Sequence, residues 1–246
     1  MIGALRTLLA GLFLLVAVPV GALIAFPWTF LSGKIGFLYW LGMNVTRIAV
    51  RLTGTRIEVL GMDNLDPQGT YIFMSNHISN LDPPILLPLI PRRTSVLVKK
   101  ELWSIPIVAQ AFDMAAFVPV ERSNRQSAIQ SVRRAGEVMR KGINMTVYPE
   151  GTRSRDGNLL PFKKGPFHLA KETGFSVVPV TMLGTREIMP KGGKLIKGGK
   201  VTVVFHPPID SNVHSSSEEL MQAVRDSIAA ALPAQNAEAI ETHAKS

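Results

Sequence analysis

From Thr7 to Gly33 the chain carries no charged residue, and Leu, Val, Ala, Ile and Phe dominate this run between Arg6 and Lys34. The run is long and oily enough to cross a bilayer, where every backbone polar group must be satisfied within the segment itself. Pro19 and Pro27 break it, leaving a kinked spanning helix, a re-entrant hairpin or an uncleaved signal anchor. A cleaved signal peptide fits less well, because its apolar core is normally about 7–15 residues. Trp28, Tyr39 and Trp40 suit a membrane interface, and residues 35 to 53 read as an amphipathic helix carrying Arg47 and Arg51. Lys34, Arg47, Arg51 and Arg56 follow the run while only Arg6 precedes it. A single crossing would therefore leave the remainder on the cytoplasmic face of the inner (plasma) membrane.

The net charge of +9 agrees with that setting, since anionic headgroups and phosphate-bearing substrates are drawn by the same field. Nucleic acid is a poorer partner: no recognition-helix pattern is evident, and only three Tyr and three Trp are available for base stacking. The absence of cysteine removes disulfides, thiolate metal sites and a cysteine acyl-enzyme. His168, His206, His214 and His243 lack metal-ligand spacing, so no metal is expected.

Beyond Gly54 the pattern changes to short β-rich runs separated by helical stretches, which predicts an α/β fold. Strands are expected over 56–61, 71–76, 95–100, 115–121, 144–150, 176–183 and 200–206, and helices over 82–90, 101–113, 123–141, 162–172 and 217–232. The fold class is thus a central mixed sheet of about seven strands flanked by helices, with an N-terminal membrane-associating helical segment. Three parts follow: membrane-embedded or interfacial helices over 1–55, an α/β domain over 56–232 and a poorly ordered tail over 233–246. The glycine-rich stretch 191–200 reads as a flexible basic loop.

In such sheets, functional groups gather beyond the carboxyl ends of strands. The first polar cluster there holds His77 and Asp82, five residues apart and therefore about 140° apart on a helix. They meet only if His77 sits on a turn and Asp82 opens the next helix, with Pro83 and Pro84 in its first turn. Such a pair suits a general base and its orienter, and equally a hydrogen-bonded turn with Asp82 as a plain N-cap. The second cluster is Phe117-Val-Pro-Val-Glu-Arg122, and the third is Tyr148-Pro-Glu-Gly-Thr-Arg153. In the third, Gly151 lets backbone approach a ligand, while Thr152 and Arg153 offer a hydroxyl and a guanidinium of the kind that binds phosphate.

In this order the clusters resemble the glycerolipid acyltransferase family, and within it the 1-acyl-sn-glycerol-3-phosphate acyltransferases. The first motif of that family is met at Asn76, His77, Ser79 and Asp82, the second at Phe117 to Arg122, the third at Tyr148 to Arg153 and the fourth at Val178 to Val180. The resemblance implies that His77 takes the proton of a lysophosphatidic acid hydroxyl and that Asp82 orients His77. Arg153, Thr152, Gly151 and Arg122 would grip the acceptor phosphate, with Glu150 ordering the loop and Lys100 as a helper. It implies no cofactor beyond the donor, acyl-CoA or acyl carrier protein, and membrane phospholipid as the surroundings. No Gly-x-Ser-x-Gly elbow is present, which favours direct transfer over a serine acyl-enzyme. Other readings are acylation of glycerol-3-phosphate or another lysophospholipid, hydrolysis of the thioester by water, and a catalytically silent lipid-binding module. A silent module would need neither His77 nor Asp82.

Overall fold

A computed structural model describes residues 2–121 and 125–232; Arg122, the first residues of the helix expected from Ser123 and the tail over 233–246 lie outside the described residues. The uncharged run forms a single helix, α1 (Ile2–Ser32), which continues through both Pro19 and Pro27. The sequence reading that these prolines break the run is therefore corrected. Each proline removes one hydrogen bond, but neighbouring helices can re-satisfy the freed groups in an apolar setting. The chain turns at Gly33, whose φ of 65° belongs to the left-handed region. It then returns as α2 (Gly36–Leu52), so the hairpin lies between two helices rather than within the run.

Small residues bring these helices together. A Cβ at Gly21 would stand 3.3 Å from the Leu41 side chain, and Ala25 is fully buried. Most large side chains of α1 remain exposed, among them Leu12, Leu15, Leu23, Phe30 and Leu31. A core helix would bury them. At the hairpin tip Trp28 packs edge-on against Phe37, which stacks on Trp40.

The other end of the hairpin is fixed to the sheet domain. Arg47 donates to the Pro88 carbonyl (2.6 Å), Thr7 Oγ1 accepts from the Ile196 amide (2.8 Å), and the Arg6 guanidinium donates to the Lys197 carbonyl. Both the start of α1 and the end of α2 therefore meet the same domain. The single crossing assumed in counting basic residues does not describe this geometry.

The domain holds one seven-stranded sheet in the order β1-β7-β6-β2-β5-β3-β4. The strands are β1 (Thr55–Leu60), β2 (Ile72–Ser75), β3 (Thr94–Lys99), β4 (Val118–Val120), β5 (Asn144–Val147), β6 (Val177–Leu183) and β7 (Gly199–Phe205). All neighbours run parallel except β6 and β7, so the sheet is mixed. Ile72 and Met74 face the layer of α5 (Arg125–Arg140), α6 (Gly165–Thr173) and α8 (Ser217–Ala230), while Phe73 faces the opposite core with Ile85, Val180 and Phe205. Helices α3 (Asp82–Leu86), α4 (Pro106–Met114) and the short α7 (Thr185–Ile188) complete the set.

Where the elements are shorter than the sequence reading, the causes are local. β5 stops at Val147 because Pro149 has no amide to donate and the Gly151 amide closes a turn on the Tyr148 carbonyl (3.0 Å). β4 begins only at Val118, since Ala116, at φ 61°, turns the chain out of α4. The helix expected over 101–113 divides at Pro106 into a 3-10 turn (Lys100–Ser104) and α4.

Candidate active site

Strand order explains why motifs distant in sequence meet. β2 is central and parallel to its neighbour β5, so the residues after Ser75 and those after Val147 leave the sheet at the same edge, side by side. The Ser154 amide donates to the His77 carbonyl (2.8 Å), joining the two loops directly. Asn76 extends the sheet with its side chain, donating to the Met182 carbonyl (3.0 Å) and accepting from the Met182 amide (2.8 Å). The first turn is thereby fixed to β6 as well.

His77 sits on that turn and Asp82 opens α3, with Pro83 and Pro84 in its first turn. His77 Nδ1 lies 2.8 Å from Asp82 Oδ2, and the same oxygen accepts from the amides of Ile78 (2.7 Å) and Ser79 (2.8 Å). The carboxylate thus reaches backward to the turn rather than forward into the helix, so Asp82 is not a plain N-cap. With Nδ1 committed to Asp82, the tautomer carries its proton there and Nε2 is left as the basic nitrogen. Tyr148 stacks on the imidazole with ring centroids 4.1 Å apart. Burial and the Asp82 charge push the Tyr148 hydroxyl well above its ordinary pKa, so it remains a neutral phenol.

Glu150 supports the turn from beneath. One carboxylate oxygen accepts from the His77 amide (2.6 Å) and the other from the Leu160 amide (2.9 Å). Burial pushes its pKa up to about 7, against the amides and the Arg225 charge, which favour the ionised form. Arg225 of α8 donates to the carbonyls of Leu160 (2.9 Å) and Leu159 (3.2 Å) and covers the Phe162 ring. No sequence motif singled it out.

Gly151 takes φ 71°, the left-handed conformation that lets the chain turn at this edge of the sheet. Beyond it, the Thr152 side chain is exposed and Arg153 is half-buried. No carboxylate lies within 4 Å of the Arg153 guanidinium among the described residues. His77, Asp82, Glu150, Gly151, Thr152 and Arg153 are thus gathered at one edge. Lys100 is directed to Glu121 (3.5 Å) on the neighbouring strand end, and Arg122 lies outside the described residues.

His77 and Tyr148 line an apolar cavity of about 580 Å³. Its walls come from both hairpin helices, including Val18, Ala22 and Gly42, and from α3, β3 and α4, including Pro83, Val96 and Ala111. A cavity of this size and lining suits a small-molecule apolar group. The sequence encodes it nowhere in a single stretch, because it exists only where the hairpin packs on the domain.

A histidine–carboxylate pair, a turn carrying Thr152 and Arg153, and an apolar cavity lined by the same histidine are the arrangement of parts that an acyltransferase site would need. Residues 56–183, more than half of the chain, match the sequence model of the Acyltransferase family, and the chain belongs to that family. It is 35% identical over 187 residues to the 1-acyl-sn-glycerol-3-phosphate acyltransferase of Limnanthes douglasii, an alignment covering 76% of this chain and 65% of that protein. The enzyme of the same name from Borreliella burgdorferi is 34% identical over 184 residues, 74% of each chain. The chain spans less than two thirds of the length of the Limnanthes relative. The crystal structure of the 1-acyl-sn-glycerophosphate (LPA) acyltransferase from Thermotoga maritima superposes with a TM-score of 0.81 at 29% identity, covering 92% of both chains.

Proposed function

We propose that this protein transfers a fatty acyl group from an acyl thioester to the free sn-2 hydroxyl of 1-acyl-sn-glycerol-3-phosphate, making phosphatidic acid for phospholipid synthesis. The observation that carries this reading is that His77, paired with Asp82, both lines the apolar cavity and is bonded through its carbonyl to Ser154, next to the Gly151–Arg153 turn. The fatty chain of the donor enters the cavity, and the acceptor phosphate rests on Thr152, Arg153 and the backbone at Gly151.

His77 Nε2 takes the proton of the acceptor hydroxyl as its oxygen bonds to the thioester carbonyl carbon. Asp82 stabilises the imidazolium so formed. The tetrahedral intermediate then collapses, the carbon–sulfur bond breaks, and the imidazolium returns its proton to the departing thiolate. Positioned base catalysis supplies roughly 10²–10⁴-fold, and holding two substrates together supplies a further share.

The hairpin supports a membrane setting for this chemistry. Its tip and the outer face of α1 expose Trp28, Phe30 and Leu31, while both helix ends return to the domain. We read the hairpin as dipping into one leaflet, with the domain on the cytoplasmic face of the inner membrane. Anionic lipid on that face attracts the basic surface, and a soluble donor, acyl-CoA or acyl carrier protein, reaches the site from there.

The test is an acceptor panel with one defined donor. Purified protein should acylate lysophosphatidic acid in preference to glycerol-3-phosphate and other lysophospholipids, and release little free acid without acceptor. Preference for another acceptor, or acceptor-independent release of acid, would overturn the reading.

A further inference from the structure

The basic loop between α7 and β7 is not free in the structure. Ser79 Oγ donates to the Met189 carbonyl (2.6 Å), which pins the loop's start to the turn bearing His77. The Lys197 amide bonds to the Ile188 carbonyl (3.1 Å), closing the loop at its base. The Ile196 amide bonds to Thr7 Oγ1 (2.8 Å), and Arg6 holds the Lys197 carbonyl, fastening the far end to α1. Between these ties, Lys191 reaches across 38 residues of sequence, its Nζ donating to the Arg153 carbonyl (2.7 Å) and to Thr152 Oγ1 (3.3 Å).

An ammonium has three donors, so these two contacts leave one N–H and the whole charge unspent. No carboxylate lies within 4 Å of Lys191 among the described residues, and the same holds for Arg153. An anion bound at the Thr152–Arg153 turn would supply the counter-ion that neither cation has among the described residues. A phosphomonoester carries about −1.5 to −2 charges at neutral pH and three acceptor oxygens, which matches this arrangement.

We infer that Lys191 is a further binding residue for the acceptor phosphate, delivered to the Thr152–Arg153 turn by a loop pre-ordered through Ser79, Thr7 and Arg6. The inference rests on the acceptor reading proposed above. It assigns selectivity for a phosphomonoester to a residue beyond the matched family segment, which ends at residue 183. Pre-ordering matters because a lysine that is already placed loses less side-chain freedom when its ligand arrives.

A lysine that only braced the Arg153 carbonyl would produce different effects on substitution, and steady-state kinetics of the full-length protein separates the two roles. With saturating acyl donor and lysophosphatidic acid as the varied substrate, Lys191→Met should raise KM about tenfold or more and leave kcat within about twofold. The salt dependence of KM should become shallower than in the wild type, because one screened charge has been removed. Lys191→Arg should recover most of the loss, and the thermal midpoint of Lys191→Met should remain near that of the wild type. An unmoved KM, an unchanged salt dependence, or a loss of kcat that follows a lowered thermal midpoint would overturn the assignment. Wild-type protein that made no phosphatidic acid would instead remove the acceptor reading, and the role of Lys191 with it.

Discussion

The Asp82 carboxylate reaches back to His77, with Oδ2 2.8 Å from Nδ1, and it also accepts the two amides that shape the turn between them. One oxygen therefore fixes both the imidazole and the backbone that carries it. Asp82→Asn keeps the size of the side chain but withdraws the negative charge and permits the wrong tautomer. Its kcat should fall on the order of 10³–10⁴-fold with KM for the acceptor nearly unchanged. Steady-state kinetics checks this, and a variant retaining more than about a tenth of kcat would contradict the role.

Glu150 links stability to pH. Its folded-state pKa of about 7 lies above the ordinary carboxylate value, so between the two the folded protein holds a proton that the unfolded chain has released. Its contribution to stability is therefore fully present in acid and is lost as pH rises through about 7. From pH 5 to pH 8 the loss is on the order of 2–3 kcal/mol, and Glu150→Gln should lack it. Denaturant unfolding at the two pH values measures the difference. Identical pH slopes in both proteins would mean that the amides of His77 and Leu160 keep the carboxylate ionised.

On the proposed reading the fatty chain lies in the cavity, and the cavity walls limit acyl length. Gly42 lines it, and a Cβ added there would meet no atom within 4 Å. Gly42→Phe therefore fills open space instead of displacing a neighbour. It should lower kcat/KM for long-chain donors about tenfold or more while sparing short ones, since a misfit of this size costs about 1–3 kcal/mol. Assays across donors of graded chain length check this, and a uniform loss would place the fatty chain elsewhere.

On the proposed reading the hairpin tip is the part that enters the membrane. Phe30 and Leu31 are 85% and 84% exposed, and each contributes about 1.5–3 kcal/mol when taken out of water. Phe30→Asp with Leu31→Asp should weaken binding to anionic phospholipid vesicles by about 100-fold or more. Vesicle sedimentation measures the partition, and undiminished binding would show that another surface meets the membrane.

Local signals were legible in the sequence, and long-range ones were not. The proline pair after Asp82 announced the helix start, and the short β-rich runs over 71–76 and 176–183 announced β2 and β6. The encounter between the turns at His77 and Tyr148 depended on β2 lying beside β5, a pairing across some 70 residues that no spacing encodes. Lys100, expected from the resemblance as a helper, sits beside Glu121. Lys191 lay in a stretch whose glycines and lysines suggested a flexible loop, because its ties to Ser79, Thr7 and Arg6 come from distant elements. The prolines of α1 misled for a related reason, since propensity is outweighed where the surroundings are apolar.

The central claim is that His77 is the base that activates a lipid hydroxyl for attack on a thioester. Mass spectrometry of products from lysophosphatidic acid and one isotopically labelled acyl thioester tests it most directly, with wild type and His77→Ala bound to the same vesicles. The wild type should place the label at the sn-2 position of phosphatidic acid, and His77→Ala should bind as well yet form product at least about 100-fold more slowly. Labelled phosphatidic acid formed at the wild-type rate by His77→Ala would contradict the claim.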